Sequence, residues 1–204
     1  MSGQALWRIE WRGDGERLAA TEPTSAEIET AAAPLAGYYN DAHNQRMMAH
    51  DADLSVADVV DYYRELRADE GRPFLLERTP EGGPAALMGD ADLRNIDGDS
   101  AEFAIMIGGR DTQGRGLGTR FAVMVHAFAF RVLRLERIYV SIIPANAASR
   151  RLFEKLGYHP DNSSEAREYA DEESDLTMSI ERRRFEAERR SELDQLQIDR
   201  RPVG

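Results

Sequence analysis

Between Asp111 and Thr119 the chain reads DTQGRGLGT, with Gly114, Gly116 and Gly118 falling within five residues. The run before it, AEFAIMIGG, is short and mostly apolar. The run after it, RFAVMVHAFAFRVLRL, is long and apolar on most of its circumference. A glycine loop between a strand and a helix start is a place to hold an anion. Backbone N–H groups can approach closely where no Cβ intervenes. The first turn of the helix also offers unpaired N–H groups and the positive end of its dipole. Arg115 adds a full charge and Gln113 an amide donor, a set that suits a pyrophosphate. Two familiar phosphate motifs do not fit. The dinucleotide pattern wants glycine at its first, third and sixth positions, and counting from Gly114 puts Thr119 sixth. The nucleoside-triphosphate loop wants Gly-Lys followed by Ser or Thr, where this chain has Gly114-Arg115-Gly116.

The elements around the loop can be read from periodicity. LWRIEWR alternates apolar and polar residues, and a Gly13-Asp14-Gly15 turn returns it as ERLAAT, an N-terminal hairpin within residues 1–20 or so. Thr24 or Ser25 can cap a helix. Pro34 and Gly37 predict that the helical run Ile28–Met48 is broken in two there. Ser55 opens a helix with Val56, Val59, Val60, Tyr63 and Leu66 at helical spacing, stopping at Gly71. PFLLER, AALMGDADLRNID and AEFAIMIG, separated by TPEGGP and DGDS, predict a three-strand antiparallel meander. After the loop and its helix come RIYVSIIP, a buried strand; NAASRRLFEKLG, a helix ended by Gly157; and DLTMSIERR, a last strand. The stretch 182–204 is rich in arginine and acid and is expected to be a charged tail, an exposed helix or a frayed end. The order predicts a mixed α/β fold.

Composition narrows the function. No cysteine is present, which removes disulfides, zinc–thiolate sites and thiol nucleophiles and fits a reducing cytoplasm. No apolar leader and no run of 18 apolar residues is found, so neither secretion nor a membrane span is expected. The net charge is −11, and residues 181–204 hold seven arginines against six acids, so the excess acid lies in the first 180 residues. Such a body repels nucleic acid and favours a cationic partner such as an amine; solubility alone is the plainer account of it. His43, His50, His126 and His159 lack metal-ligand spacing, and no metal site is expected. His126, among Met124, Val125 and Phe128, reads as a core or rim histidine.

The segments EFAIMIGGRDTQGRGLGTRFA and IPANAASRRLFEKLGY resemble the GNAT superfamily of acetyl-coenzyme A-dependent N-acetyltransferases. YYND and RPFLLER resemble the branch with ribosomal-protein and polyamine N-acetyltransferases. The resemblance is specific from about Glu102 to Tyr158 and looser from Thr21 to Asp99. It implies a GNAT domain over residues 1–181, with a mixed, mostly antiparallel central sheet flanked by helices and splayed between the fourth and fifth core strands. It implies acetyl-coenzyme A as cosubstrate and an amine acceptor (a polyamine, an aminoglycoside or a protein N-terminus); a homodimer is left open. Gln113, Gly114, Arg115, Gly116, Leu117, Gly118 and Thr119 would hold the pyrophosphate. The backbone of Ile105, Met106 and Ile107 would pair with pantetheine, their side chains being core. Asn146 would reach the pantetheine or acetyl end, Arg151 the outer phosphates, and Phe153 would lie beside the coenzyme.

Chemistry then asks for three things. An alkylamine has a pKa of about 10.4 and must lose a proton before it attacks a thioester, the carbonyl oxygen needs a donor, and the thiolate needs a proton. Glu102, early on its strand, can be the base, directly or through water, or simply a solvated edge carboxylate. A backbone N–H near Met106 is the expected oxyanion donor. Relatives often carry tyrosine where this chain has Phe153. That leaves Tyr158, Tyr169 or water as acid, or an unassisted thiolate, and opens the contrary reading of a slow coenzyme-binding sensor or scaffold. Tyr38-Tyr39 and the tyrosines of YYRELR line the acceptor side or merely pack. Asp51, Asp53 and Asp58 are candidates to attract a cation.

Overall fold

A computed structural model of the chain describes residues 5–13, 15–49, 52–109 and 116–201. The predicted hairpin is β1 (Trp7–Gly13) and β2 (Glu16–Thr21), paired antiparallel from Arg8↔Thr21 to Gly13↔Glu16. Helix α1 (Ser25–Tyr39) begins at Thr24, whose side chain accepts from the Glu27 N–H while Glu27 reaches back to the cap. The helix runs through Pro34, contrary to the expected break. Pro34 lies on the exposed face, where the carbonyl it leaves without a donor can be hydrated, while Ala31, Ala32, Leu35 and Ala36 bury the opposite face. The break comes instead at Asn40 and Asp41. Asp41 accepts from the N–H groups of His43 and Asn44 and starts α2 (Ala42–Met47). Ser55 and Asp58 form a second capping box at α3 (Val56–Ala68).

The meander is β3 (Arg72–Pro80), β4 (Ala86–Asp97) and β5 (Ser100–Ile107), antiparallel throughout. Helix α4 (Leu117–Arg131) and β6 (Arg137–Ile142) follow, then α5 (Ala147–Leu156), the short β7 (His159–Pro160), α6 (Ser164–Arg167) and β8 (Leu176–Glu181). The stretch expected to be an exposed helix or a frayed end is largely exposed but not frayed. It forms α7 (Arg182–Glu188), α8 (Arg190–Leu193) and β9 (Leu196–Arg200), which pairs antiparallel with β1 from Trp7↔Arg200 to Trp11↔Leu196. Two apolar residues among the charges explain this, since Phe185 is fully buried and Leu193 nearly so.

One sheet results, in the order β7-β8-β6-β5-β4-β3-β2-β1-β9. Among the described residues its parallel ladder is β5 with β6; the other pairs are antiparallel. Helices α1 and α3 cover one face, where Ile28, Leu35, Val59 and Tyr63 meet Leu75 and Met106. Helix α4 covers the other, where Phe121, Phe128 and Phe130 join Phe74, Phe103, Phe153 and Phe185. The mixed α/β architecture with helices on both faces is the expected one, and the expected splay falls between β5 and β6. Their ladder has three rungs, Ser100↔Arg137, Ala101↔Ile138 and Glu102↔Tyr139. Beyond them β5 stays with β4 as far as Gly89↔Ile107, while β6 stays with β8 as far as Ile142↔Leu176. Each strand follows its outer neighbour, and a wedge opens between them. No helix among the described residues is long and apolar enough to cross a membrane.

Candidate active site

The wedge holds a cavity of about 470 Å³ bounded by β4, β5, the end of β6, the start of α5 and the tyrosine-bearing ends of α1 and α3. A cleft of about 750 Å³ by the β4–β5 turn is larger but is walled by surface charges already paired with one another, Arg137 with Glu181 and Arg182 with Glu136. The smaller cavity has the buried, unevenly charged lining that chemistry needs. Among the described residues six carboxylates line it (Asp58, Asp90, Asp92, Glu102, Asp171 and Asp175) against one cation, Arg94.

The glycine loop is described only from Gly116 onward; Gln113, Gly114 and Arg115 lie outside the described residues, as do His50 and Asp51. Gly116 caps α4 in the left-handed region at φ 77°, and a Cβ there would meet nothing within 4 Å among the described residues. At Gly118 a Cβ would stand 2.9 Å from Leu152 Cδ1, so glycine lets α4 lie close to α5. Leu117 is buried and Thr119 half-buried beside it. Ile105 and Met106 line the cavity; the Met106 side chain joins the core beneath α1 and α3, and Ile105 and Ile107 pack on the opposite core.

Several expected site residues have other engagements. Glu102 is buried, with Oε1 accepting from Arg94 Nη2 at 2.7 Å and Oε2 from Asn95 Nδ2 at 2.9 Å. It borders the cavity but is neither a solvated edge carboxylate nor an unengaged base. Asn146 also reaches the wall, where its Oδ1 accepts from Ser149 N and its Nδ2 donates to Met47 O at 2.8 Å, fastening α5 to the end of α2. Arg151 is exposed on α5. Phe153 is buried and lines the cavity, edge-on to Phe103 and to Tyr158.

Tyr158 is not brought to the cavity. Its hydroxyl lies 2.6 Å from His126 Nε2 inside the core. His126 Nδ1 is 2.7 Å from the Ala122 carbonyl, which can only accept, so Nδ1 carries the proton. Burial holds the imidazole neutral, its pKa lowered to about 3, and Nε2 therefore accepts from Tyr158. A tyrosine so enclosed cannot pass a proton to a thiolate in the wedge. Tyr158→Phe should cost about 1–3 kcal/mol in stability, by leaving His126 Nε2 without its donor. Steady-state kinetics should show kcat unchanged. Tyr169 is likewise elsewhere, stacked on Tyr139 at 4.6 Å and bonded to Ser100 Oγ in the larger cleft.

The residues that dominate the cavity were not singled out by the sequence. Asp90 and Asp92 sit at alternate positions of β4, facing α1 and α3, and both are buried. Asp90 Oδ2 accepts from Tyr39 and Tyr63, each at 2.7 Å, and Asp92 Oδ2 accepts from Tyr62 at 2.8 Å. Burial pushes the Asp90 carboxyl up to about 7, against the opposing pull of its tyrosines. Burial likewise lifts Asp92 to about 6, against Arg94 and Tyr62. The signal was present as two acids at i and i+2 within the central strand of a meander. Of the acids that were singled out, Asp58 lines the cavity, whereas Asp53 is exposed and accepts from Gln45.

Comparison with known proteins agrees with this geometry. Residues 17–159 match the family model described as an acetyltransferase (GNAT) domain. Spermidine N(1)-acetyltransferase of Escherichia coli K12 is 28% identical over 109 residues, 53% of this chain and 55% of that protein. The chain thus aligns with about half the length of the curated relatives it matches. The crystal structure of spermidine N-acetyltransferase from Vibrio cholerae in complex with CoA and spermine superposes with a TM-score of 0.64 at 20% identity, covering 85% of this chain and 99% of that one. Mycobacterium smegmatis RimJ in complex with CoA-disulfide gives a TM-score of 0.68 at 17% identity, covering 93% and 96%. The splayed sheet, the glycine-capped helix beside it and the matched residues together make this chain a member of the GNAT acetyltransferase family.

Proposed function

We propose that the protein transfers the acetyl group of acetyl-coenzyme A to a primary amine of a small polycation, a polyamine before an aminoglycoside or a protein N-terminus. The observation that carries this reading is the charge of the splay cavity, six carboxylates to one arginine among the described residues. Such a cavity concentrates cations and repels anionic acceptors. Met47, Met48 and Leu54 line it too, giving a methylene chain apolar surface. The names of the spermidine N-acetyltransferase relatives support the same acceptor class.

Acetyl-coenzyme A would supply an activated thioester. The residues present fit it: the N-terminal N–H groups of α4 behind Gly116 offer an anion seat, and the strand edge of β5 beyond Glu102 faces the wedge. A backbone N–H near Met106 would meet the carbonyl oxygen as a preorganised donor. Glu102 enters this reading as the group that fixes Arg94 at the cavity wall. Phe153 closes the wedge against water without taking part in proton transfer.

The test is thiol release from acetyl-coenzyme A with a panel of amines, clean here because the chain has no cysteine. Polyamines are expected to turn over, and acetyl-coenzyme A to raise Tm through binding to the native state. Gly116→Asp places a carboxylate at the helix start, clear of the other described residues though strained by the left-handed φ of 77°, and should abolish the coenzyme-dependent rise in Tm. Undiminished coenzyme affinity in that folded variant would refute the pyrophosphate seat.

A further inference from the structure

Two buried aspartates on one face of a central strand are costly, because a carboxylate out of water needs partners for both oxygens. Here each has partners for one. Tyrosines from α1 and α3 satisfy the Oδ2 atoms, while Oδ1 of Asp90 and Oδ1 of Asp92 make no hydrogen bond. Among the described residues one other buried side-chain atom shares that condition, Arg189 Nε, which is not among the residues lining the cavity. Both aspartates line the splay cavity. Orphaned acceptors on two residues that line a cavity point to a ligand that donates hydrogen bonds and carries positive charge. In the ladder Asp90 stands opposite Met106 and Asp92 opposite Ala104, on the part of β5 that has left β6.

Resting on the acyl-transfer reading above, we infer that the Oδ1 atoms of Asp90 and Asp92 are the seat of the acceptor's reacting ammonium, and that Asp90 is the base that takes its proton. Tyr39 and Tyr63 hold the Asp90 carboxylate in place, and Tyr62 holds Asp92. The step balances without a separate acid. One proton passes from R–NH3⁺ to Asp90. The freed nitrogen lone pair forms the N–C bond to the thioester carbonyl, and the C–S bond breaks with its electrons on sulfur. The second nitrogen proton ends on that sulfur, giving an amide and a thiol, and Asp90 returns its proton to solvent. Phe153 in place of a tyrosine is then no defect.

The charged and titratable groups around Asp90 are Tyr39 from α1, Tyr63 and Tyr62 from α3, and Asp92 on its own strand; Arg94 and Glu102 lie beyond Asp92. The tyrosines stay protonated, pushed up by burial and the aspartates' charge. The pair therefore changes protonation at and just below neutral pH while the three tyrosines do not. Binding an ammonium to it in mild acid must expel protons.

The experiment is calorimetry of 1,4-diaminobutane binding to the coenzyme-free protein in two buffers of different ionisation enthalpy. About one proton per amine should be released at pH 6 and almost none at pH 8. Binding without proton release at pH 6 would overturn the seat, and this readout needs no variant. In kinetics, Asp90→Asn should lower kcat about 10²-fold or more and should recover with rising pH as neutral amine becomes available, a response that a merely structural residue would not give. Asp92→Asn should act mainly on KM for the amine. If the wild type acetylates amines and both folded variants keep its kinetics and pH profile, the seat is wrong while the acyl-transfer reading stands. If no amine is acetylated but proton-linked binding occurs, the seat stands and that reading falls.

Discussion

Cutting the chain after Glu181 is expected to unfold the protein. The lost segment carries Phe185, fully buried against His126 and Phe130, and Leu193, also in the main core. Truncating a buried Phe costs about 3–5 kcal/mol and a buried Leu about 2–5. Their sum is comparable to the whole stability of an ordinary domain, about 5–15 kcal/mol. The cut also strips β9 from β1 and removes Arg201, whose guanidinium bonds both Glu27 oxygens and holds that carboxyl down at about 2. Circular dichroism of the truncated chain should show loss of the cooperative melt. A folded, cooperatively melting 1–181 fragment would contradict this account of the tail. Phe185→Ala in the full chain is the milder form of the same test.

The second large effect is on stability as a function of pH. An unfolded aspartate titrates near 3.8 and Asp90 in the fold near 7. The fold thus prefers the neutral carboxyl. Below the unfolded pKa both states are protonated and no penalty arises. As pH rises from about 4 through 7 the unfolded chain sheds its proton first, and the native state loses stability until Asp90 also ionises. Three pKa units at about 1.4 kcal/mol each set an upper size; on the order of 2–4 kcal/mol is expected. Asp90→Asn cannot titrate, so its stability relative to wild type should climb by that amount between pH 4 and pH 8 and then level off. Any constant cost of the amide leaves the slope of that difference untouched. Urea melts at a series of pH values measure it; a flat difference would mean that Asp90 titrates as it does unfolded.

The frame of α4 and α5 was legible because its signals are local. A glycine loop opening a helix, Asn146 capping another and Gly157 ending it at φ 101° depend on nearest neighbours in the chain. The buried aspartates were not legible because their setting depends on what covers β4. Asp90 and Asp92 alternate with Ala91 and Leu93, which alone reads as a strand with a wet face. That face is dry because α1 and α3 lie on it, and the chain gives no local sign of where those helices dock. The tyrosine pairs were noticed as ambiguous for the same reason. Tyr158 and Glu102 were drawn in by their position in the chain, yet His126 and Arg94, their actual partners, could be found only by folding it. The tail misled in the opposite way: seven arginines and six acids hid two buried side chains.

Strand β9 is made long after β1 and pairs with it: Ile198 stands opposite Ile9. During synthesis the hairpin must therefore wait, with the outer edge of β1 at Trp7, Ile9 and Trp11 unpaired, until β9 has left the ribosome. Loop closure over so many residues is slow, and a bare apolar strand edge invites pairing with a neighbouring chain. The cell's yield of native protein should thus depend on how long nascent chains linger half-made. Slowed translation of the stretch between β1 and β9, or high expression, would favour aggregates seeded by β1, and a chaperone that shields that edge would relieve them.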